Sequence, residues 1–249
     1  DVVGLSVPFP GMLVSALRIG KRLRDAGVYV VLGGGYPNTE LREVNEPNLW
    51  NYIDAITYDD GEGPLLSLLQ HLEGGPDTRH RTRTKEGMHS EDAESHKFVS
   101  SGHYTGLPLD KYLQLVDSEN PAHRLWSDGR WNKMTLAHGC YWKRCAFCDV
   151  NLDYISNFQS SHVQSLADDM QQIVAETGES GFHMVDEAAP PRLMKSLALE
   201  ILARGMAVSW WGNIRFERTF TPDLCRLLSA SGLIAVTGGL EVASDRLLN

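Results

Sequence analysis

No run of apolar residues in this 249-residue chain is long enough to span a bilayer, which takes about twenty. Nor is there an excess of positive charge: 23 Lys and Arg against 32 Asp and Glu leave a formal net charge of −9. A general nucleic-acid binder meets phosphates with a basic face, so no nucleic-acid partner is expected. Cysteine is scarce, four residues in all, and three of them crowd into positions 140–148. A secreted disulfide framework spreads its cysteines through a short chain. This distribution points instead to a reducing cytoplasm and a bound metal. A signal peptide is not apparent, because a strand-like run follows Asp1 at once. The chain starts without methionine in what reads as the middle of a sheet, and stops just after a strand-and-turn pattern. Both ends are therefore expected to be cuts from a longer protein.

What is present is ordinary globular material, 42% hydrophobic and 22% charged. The first segment alternates strands and helices. Residues 1–7 and 28–32 read as buried strands, with the amphipathic stretch 13–26 between them and Gly27 as its stop. Gly33-Gly34-Gly35 closes the second strand. Residues 52–58 read as a third strand, followed by Asp59-Asp60-Gly61-Glu62-Gly63 and an amphipathic helix over 65–72. This order predicts an open parallel α/β sheet. From about Gly74 to His103 aliphatic residues nearly vanish, which predicts a solvated linker. Domains are therefore expected at 1–74 and 134–249, with 75–133 as linker and bridging segment, including Trp126 and Trp131. In the second domain strands at 134–137, 181–185, 208–212 and 233–237 alternate with helices at 163–177, 192–204 and 222–230. Four such units in a row predict part of a (β/α) barrel, whose chemistry sits at the C-terminal strand ends.

Cys140-Tyr141-Trp142-Lys143-Arg144-Cys145-Ala146-Phe147-Cys148 follows the first of these strands. Thiolates are soft ligands, suited to zinc and to iron–sulfur clusters. Three of them can hold three irons of a cubane and leave the fourth open to a ligand. A structural zinc needs four closed ligands, which would make His138 the fourth. An electron-transfer cluster needs a fourth thiolate. The remaining Cys225 sits in a helical stretch beside Leu224, Leu227 and Leu228 and is expected in the core.

On these residues the chain resembles the radical S-adenosylmethionine superfamily, within it the group with an N-terminal cobalamin-binding domain. The resemblance implies a [4Fe–4S] cluster on Cys140, Cys145 and Cys148, with S-adenosylmethionine chelated at the open iron. One electron then cleaves the sulfonium to methionine and a 5′-deoxyadenosyl radical, which abstracts hydrogen from substrate. Phe147 matches the motif's aromatic. The spacing departs from the usual one: C-x4-C-x2-C here, against C-x3-C-x2-C. The resemblance further implies S-adenosylmethionine contacts from later strand ends, namely Glu187 toward the amino group, Arg215 toward the carboxylate, and Glu241 and Ser244 near the ribose. His183 alternates with Phe182 and Met184, so it faces either the barrel interior or the core.

In the first domain Ser6, Gly33, Gly34, Gly61 and Glu62 resemble the later half of a Rossmann-like cobalamin-binding domain, where glycines let backbone approach the cofactor. The lower-ligand histidine motif is absent from the sequence. The implied activity is methylation, rearrangement or ring formation on a small-molecule or peptide substrate. The implied electron donor is a flavodoxin or ferredoxin, and the implied place is the cytoplasm, without a membrane partner. The readings from other classes are a zinc-stabilised binding module without catalysis and an electron-transfer iron–sulfur protein.

Overall fold

The structure is a computed structural model describing residues 1–59, 61–90, 102–112, 119, 131–244 and 246. Asp60 and Trp126 lie outside the described residues. The chain divides into two compact units, 1–97 and 98–249.

The first unit runs β1 (Val2–Ser6), α1 (Leu13–Asp25), β2 (Tyr29–Gly33), α2 (Gly35–Glu40), β3 (Ala55–Thr57), α3 (Glu62–Leu72), β4 (Thr82–Thr84) and β5 (Gly87–His89). Its sheet has the order β1-β2-β3-β4-β5. The first three strands are parallel. Alternation in β2 sends Val30 and Leu32 into a cluster with Val7, Ala16 and Ile56, while Val31 packs with Ala55 and Leu68 on the other face. Helices thus cover both faces, as a parallel sheet requires. Asp54 ties sheet to helix, accepting from Arg24 Nε at 2.9 Å and from the Val30 amide at 2.8 Å.

The segment expected to be linker departs from that expectation. Strands β4 and β5 form an antiparallel hairpin that adds to β3, so the sheet runs past Gly74 to His89. Its composition misleads because threonine serves where aliphatics were sought: Thr82 and Thr84 are buried. A β-branched side chain suits a strand whether or not it carries a hydroxyl, and Arg83 Nη1 donates to the Val44 carbonyl at 2.8 Å.

The second unit contains β6 (Asn132–Met134), β7 (Ala137–His138), α4 (Asp153–Ser156), β8 (Gln159–Ser160), α5 (Val163–Thr177), β9 (Gly181–Met184), α6 (Pro191–Ala203), β10 (Ser209–Asn213), α7 (Pro222–Ala230) and β11 (Leu233–Thr237). Strands β6, β9, β10 and β11 form an all-parallel sheet in the order β11-β10-β9-β6. Each strand is laid beside its predecessor, and α5, α6 and α7 pack on one face. Met134, Phe182, Met184 and Trp210 from the strands meet Leu166, Met170, Ile173, Met194, Leu197, Ile201 and Leu228 from the helices. Helix boundaries follow local chemistry. Gly178 ends α5 in the left-handed conformation, Pro191 opens α6, and Thr221 caps α7 by accepting from the Leu224 amide at 3.3 Å.

Two further expectations are corrected. The strand expected over 134–137 begins earlier and divides: its sheet portion ends at Met134, and Ala137 and His138 pair instead with Gln159 and Ser160. Cys225 is exposed rather than in the core. Only Leu228 of α7 is fully buried, and the β11 residues Ile234 and Val236 are exposed, so little lies over that helix to enclose its thiol.

Candidate metal centre

The three clustered cysteines sit on a loop whose base is closed. The Cys140 amide donates to the Ile155 carbonyl at 3.0 Å, and β7 pairs with β8 across the neck. Gly139 makes this closure possible. It has φ +70°, and a Cβ there would stand 2.8 Å from the Asn157 carbonyl oxygen and 2.9 Å from that of Ile155. The Lys143 ammonium donates to the Ser156 carbonyl and draws the middle of the loop to the same segment.

Asp186 fixes the loop to the sheet. Its carboxylate is buried and accepts from the Leu136 amide at 2.9 Å and the Ala137 amide at 2.9 Å, so the backbone between β6 and β7 bonds to a side chain where a neighbouring strand would otherwise serve. Burial pushes its acid up to about 6, against the pull of those two amides. Asn213 Nδ2 donates to the Asp186 carbonyl at 3.2 Å, and the Thr237 hydroxyl donates to Asn213 Oδ1. The ends of β9, β10 and β11 are thus joined at the level where the loop begins.

A second attachment comes from the end of β10. The Arg215 guanidinium lies over the Trp142 ring, 3.5 Å from its centroid, and donates to Glu217 at 2.6 Å. The Tyr141 hydroxyl donates to the other Glu217 oxygen at 3.2 Å. Beside these groups lies a cavity of about 480 Å³ bounded by Tyr141, Phe158, Pro190, Leu193 and Glu217.

All three cysteines are half-buried free thiols. Burial first, then the charges of Cys145, Glu187, Cys140 and Asp149, pushes the Cys148 thiol up. The donor set, three thiols on one loop, fits an iron–sulfur cluster by its chemistry. Among the described residues no three His, Cys, Asp or Glu side chains group as ligands of a single metal ion.

The remaining expected contacts fall unevenly. Glu187 is exposed at the end of β9, and Phe147 is 70% exposed on the loop. Arg215 is already engaged by Trp142 and Glu217, with its buried Nε lacking a partner among the described residues. Glu241 has φ +46° and turns its carboxylate back against Gly239, and Ser244 is half-buried beyond it. In the first unit Ser6 and Glu62 are exposed, and Gly61, at φ +70°, precedes α3 with open space at its Cβ position. The glycine triplet serves the chain itself. Gly34 has φ +105°, and a Cβ there would stand 2.8 Å from the Val7 amide nitrogen, while one on Gly33 would stand 3.1 Å from the Thr57 hydroxyl.

Asp186, Trp142, Glu217 and Tyr141 were not singled out in the sequence. Asp186 was within reach: it shares the parity of Phe182 and Met184, which marks it as buried. Nothing local in the sequence marks the pairing of Trp142 with Arg215.

No known protein family's profile matches the chain, and no curated protein sequence matches it. Among solved structures it resembles apo, selenomethionine-labelled OxsB, described as a cobalamin-dependent S-adenosylmethionine radical enzyme. The TM-score is 0.63 at 16% sequence identity, over 100% of this chain and 36% of that one. The likeness establishes a shared fold, and the chain spans little more than a third of that protein's length.

Proposed function

We propose that this chain holds a [4Fe–4S] cluster on Cys140, Cys145 and Cys148 and acts as an S-adenosylmethionine radical enzyme. One observation carries the reading: three half-buried free thiols share a single short loop, pinned by Asp186 and by the Trp142–Arg215 stack to the C-terminal ends of a parallel sheet. That edge is where open and closed α/β sheets gather their chemistry. The shared fold with an enzyme of this description agrees with it. When bound there, such a cluster supplies one electron for cleavage of a sulfonium.

The chain's own residues do the rest. The cysteines, deprotonated on binding, are the ligands. Glu187, exposed just past the end of β9, is the acceptor proposed for an ammonium group. Arg215 and Glu217 hold the loop in position, and the buried Arg215 Nε, without a partner among the described residues, is the donor proposed for a carboxylate. Phe147 supplies an apolar surface next to the last cysteine. For cobalamin the residues are a poor match. Of the glycines expected to admit it, Gly34 is pressed by the Val7 backbone and Gly33 by Thr57 while Gly61 stands open, so no step is assigned to that cofactor.

Anaerobic reconstitution with iron and sulfide tests the proposal. About four irons and four acid-labile sulfides per chain are expected, lost on replacing any one of Cys140, Cys145 or Cys148 with alanine and retained in Cys225→Ala. Bound zinc without sulfide would support the structural reading instead. Loss of the cluster in Cys225→Ala would support an electron-transfer site.

A further inference from the structure

The face of the β11-β10-β9-β6 sheet that turns away from the helices carries a row of side chains in register. Lys133 of β6 lies opposite His183 of β9, and His183 opposite Trp211 of β10. The parity that buries Phe182, Met184 and Trp210 under the helices puts these three on the opposite face, where Lys133 is exposed and the two rings are half-buried. The His183 ring stacks on Trp211 with centroids 3.7 Å apart and planes 5° apart, and Trp131 meets Trp211 edge-on at 6.3 Å.

The hydrogen bonding of this row is one-sided. Lys133 Nζ lies 2.8 Å from His183 Nδ1. An ammonium can only donate, so Nδ1 is the acceptor and the ring hydrogen sits on Nε2. That Nε2 is buried and has no partner among the described residues. Burial first, then the Lys133 charge, holds the imidazole down to about 4, so it is neutral at physiological pH. No carboxylate of the described residues forms an ion pair with Lys133, whose ammonium is disfavoured by burial alone. A cation and a ring N–H therefore line this face, and neither has an oxygen to donate to except from outside the described residues. Groups so arranged call for an acceptor of opposite charge.

We propose that this face binds the substrate through an anionic group, a carboxylate or a phosphate, which accepts from Lys133 Nζ and His183 Nε2 against the wall formed by Trp211 and Trp131. The inference names a substrate class for the reaction proposed above and rests on that reading for its chemistry, while the binding itself needs neither iron nor S-adenosylmethionine.

The test is an NMR titration of the full chain, following the His183 ring and the Trp211 indole. Benzoate and phenyl phosphate are the anionic probes, with benzamide as the neutral counterpart of benzoate. At least one anion is expected to shift both signals, at a concentration about tenfold below that needed for benzamide, the ratio one charge-assisted hydrogen bond gives. The better anion identifies the group as carboxylate or phosphate. Lys133→Gln should remove the preference for the anion, and Lys133→Arg should keep it. Equal binding of benzoate and benzamide with no response to phenyl phosphate, or an anion affinity unchanged in Lys133→Gln, would overturn the inference. Loss of the cluster cysteines leaves the titration unaffected if both proposals hold, so failure of one is distinct from failure of the other.

Discussion

At the scale of single residues, the cysteine loop is held by a carboxyl group that burial keeps close to half-protonated near pH 6. In Asp186→Ala two buried amides lose their acceptor, which costs about 3 kcal/mol of stability, measurable by urea unfolding. The sign of its pH dependence follows from the raised acid. With a folded value of about 6 against 3.8 unfolded, the native state binds the extra proton in that window, so the Asp186 contribution falls as pH rises from about 4 to about 6 and is level above it. Asp186→Asn should therefore remove a decline of roughly 2 kcal/mol over that window, seen as the difference between wild-type and variant unfolding free energies at pH 4 and pH 6.5. An equal difference at the two pH values would contradict the assignment. Arg215 offers a second measurement: Arg215→Ala should release cluster iron to a chelator about fivefold faster, the worth of one cation–π contact, and Arg215→Lys should restore little of it.

At the scale of elements, the sequence was most legible where period and capping agree. The helices over 163–177, 191–203 and 222–230, and the strands between them, fall within a few residues of expectation because buried positions recur at helical spacing between glycine, proline and threonine signals. The hairpin β4–β5 was hidden because its buried residues are threonines, and the division of β6 from β7 was hidden because Asp186, remote in sequence, takes the place of a strand. The glycine triplet was legible as a special backbone but not in its purpose, which lies in the approach of Val7, just past the end of β1. Gly34→Ala, forced to keep φ +105° against that backbone, should destabilise the chain by about 2 kcal/mol or more. Gly4→Ala, with open space at its Cβ position, should change stability by less than about 1 kcal/mol. A thermal-denaturation series on the two variants decides it, and equal losses would refute the packing account. Exposure of α7 at Cys225 predicts a fast-reacting thiol in the cluster-loaded chain, absent in Cys225→Ser.

At the scale of the molecule, two α/β units are joined in one chain, and among the described residues no helix is long and apolar enough to cross a membrane. In the second unit helices take one face of the parallel sheet, the Lys133–His183–Trp211 row takes the other, and the cysteine loop hangs from the C-terminal edge. The three clustered cysteines were legible in the sequence as candidate soft ligands. What the sequence could not reveal is the support beneath it, since Asp186, Asn213, Arg215 and Glu217 act through contacts made only in three dimensions. The central claim is that the cluster presents an open iron to S-adenosylmethionine. Electron paramagnetic resonance of the anaerobically reconstituted and reduced chain, with and without S-adenosylmethionine, tests it most directly. The account predicts a [4Fe–4S]⁺ signal whose g-values shift when S-adenosylmethionine is added. A cluster signal that stays the same on addition would contradict it.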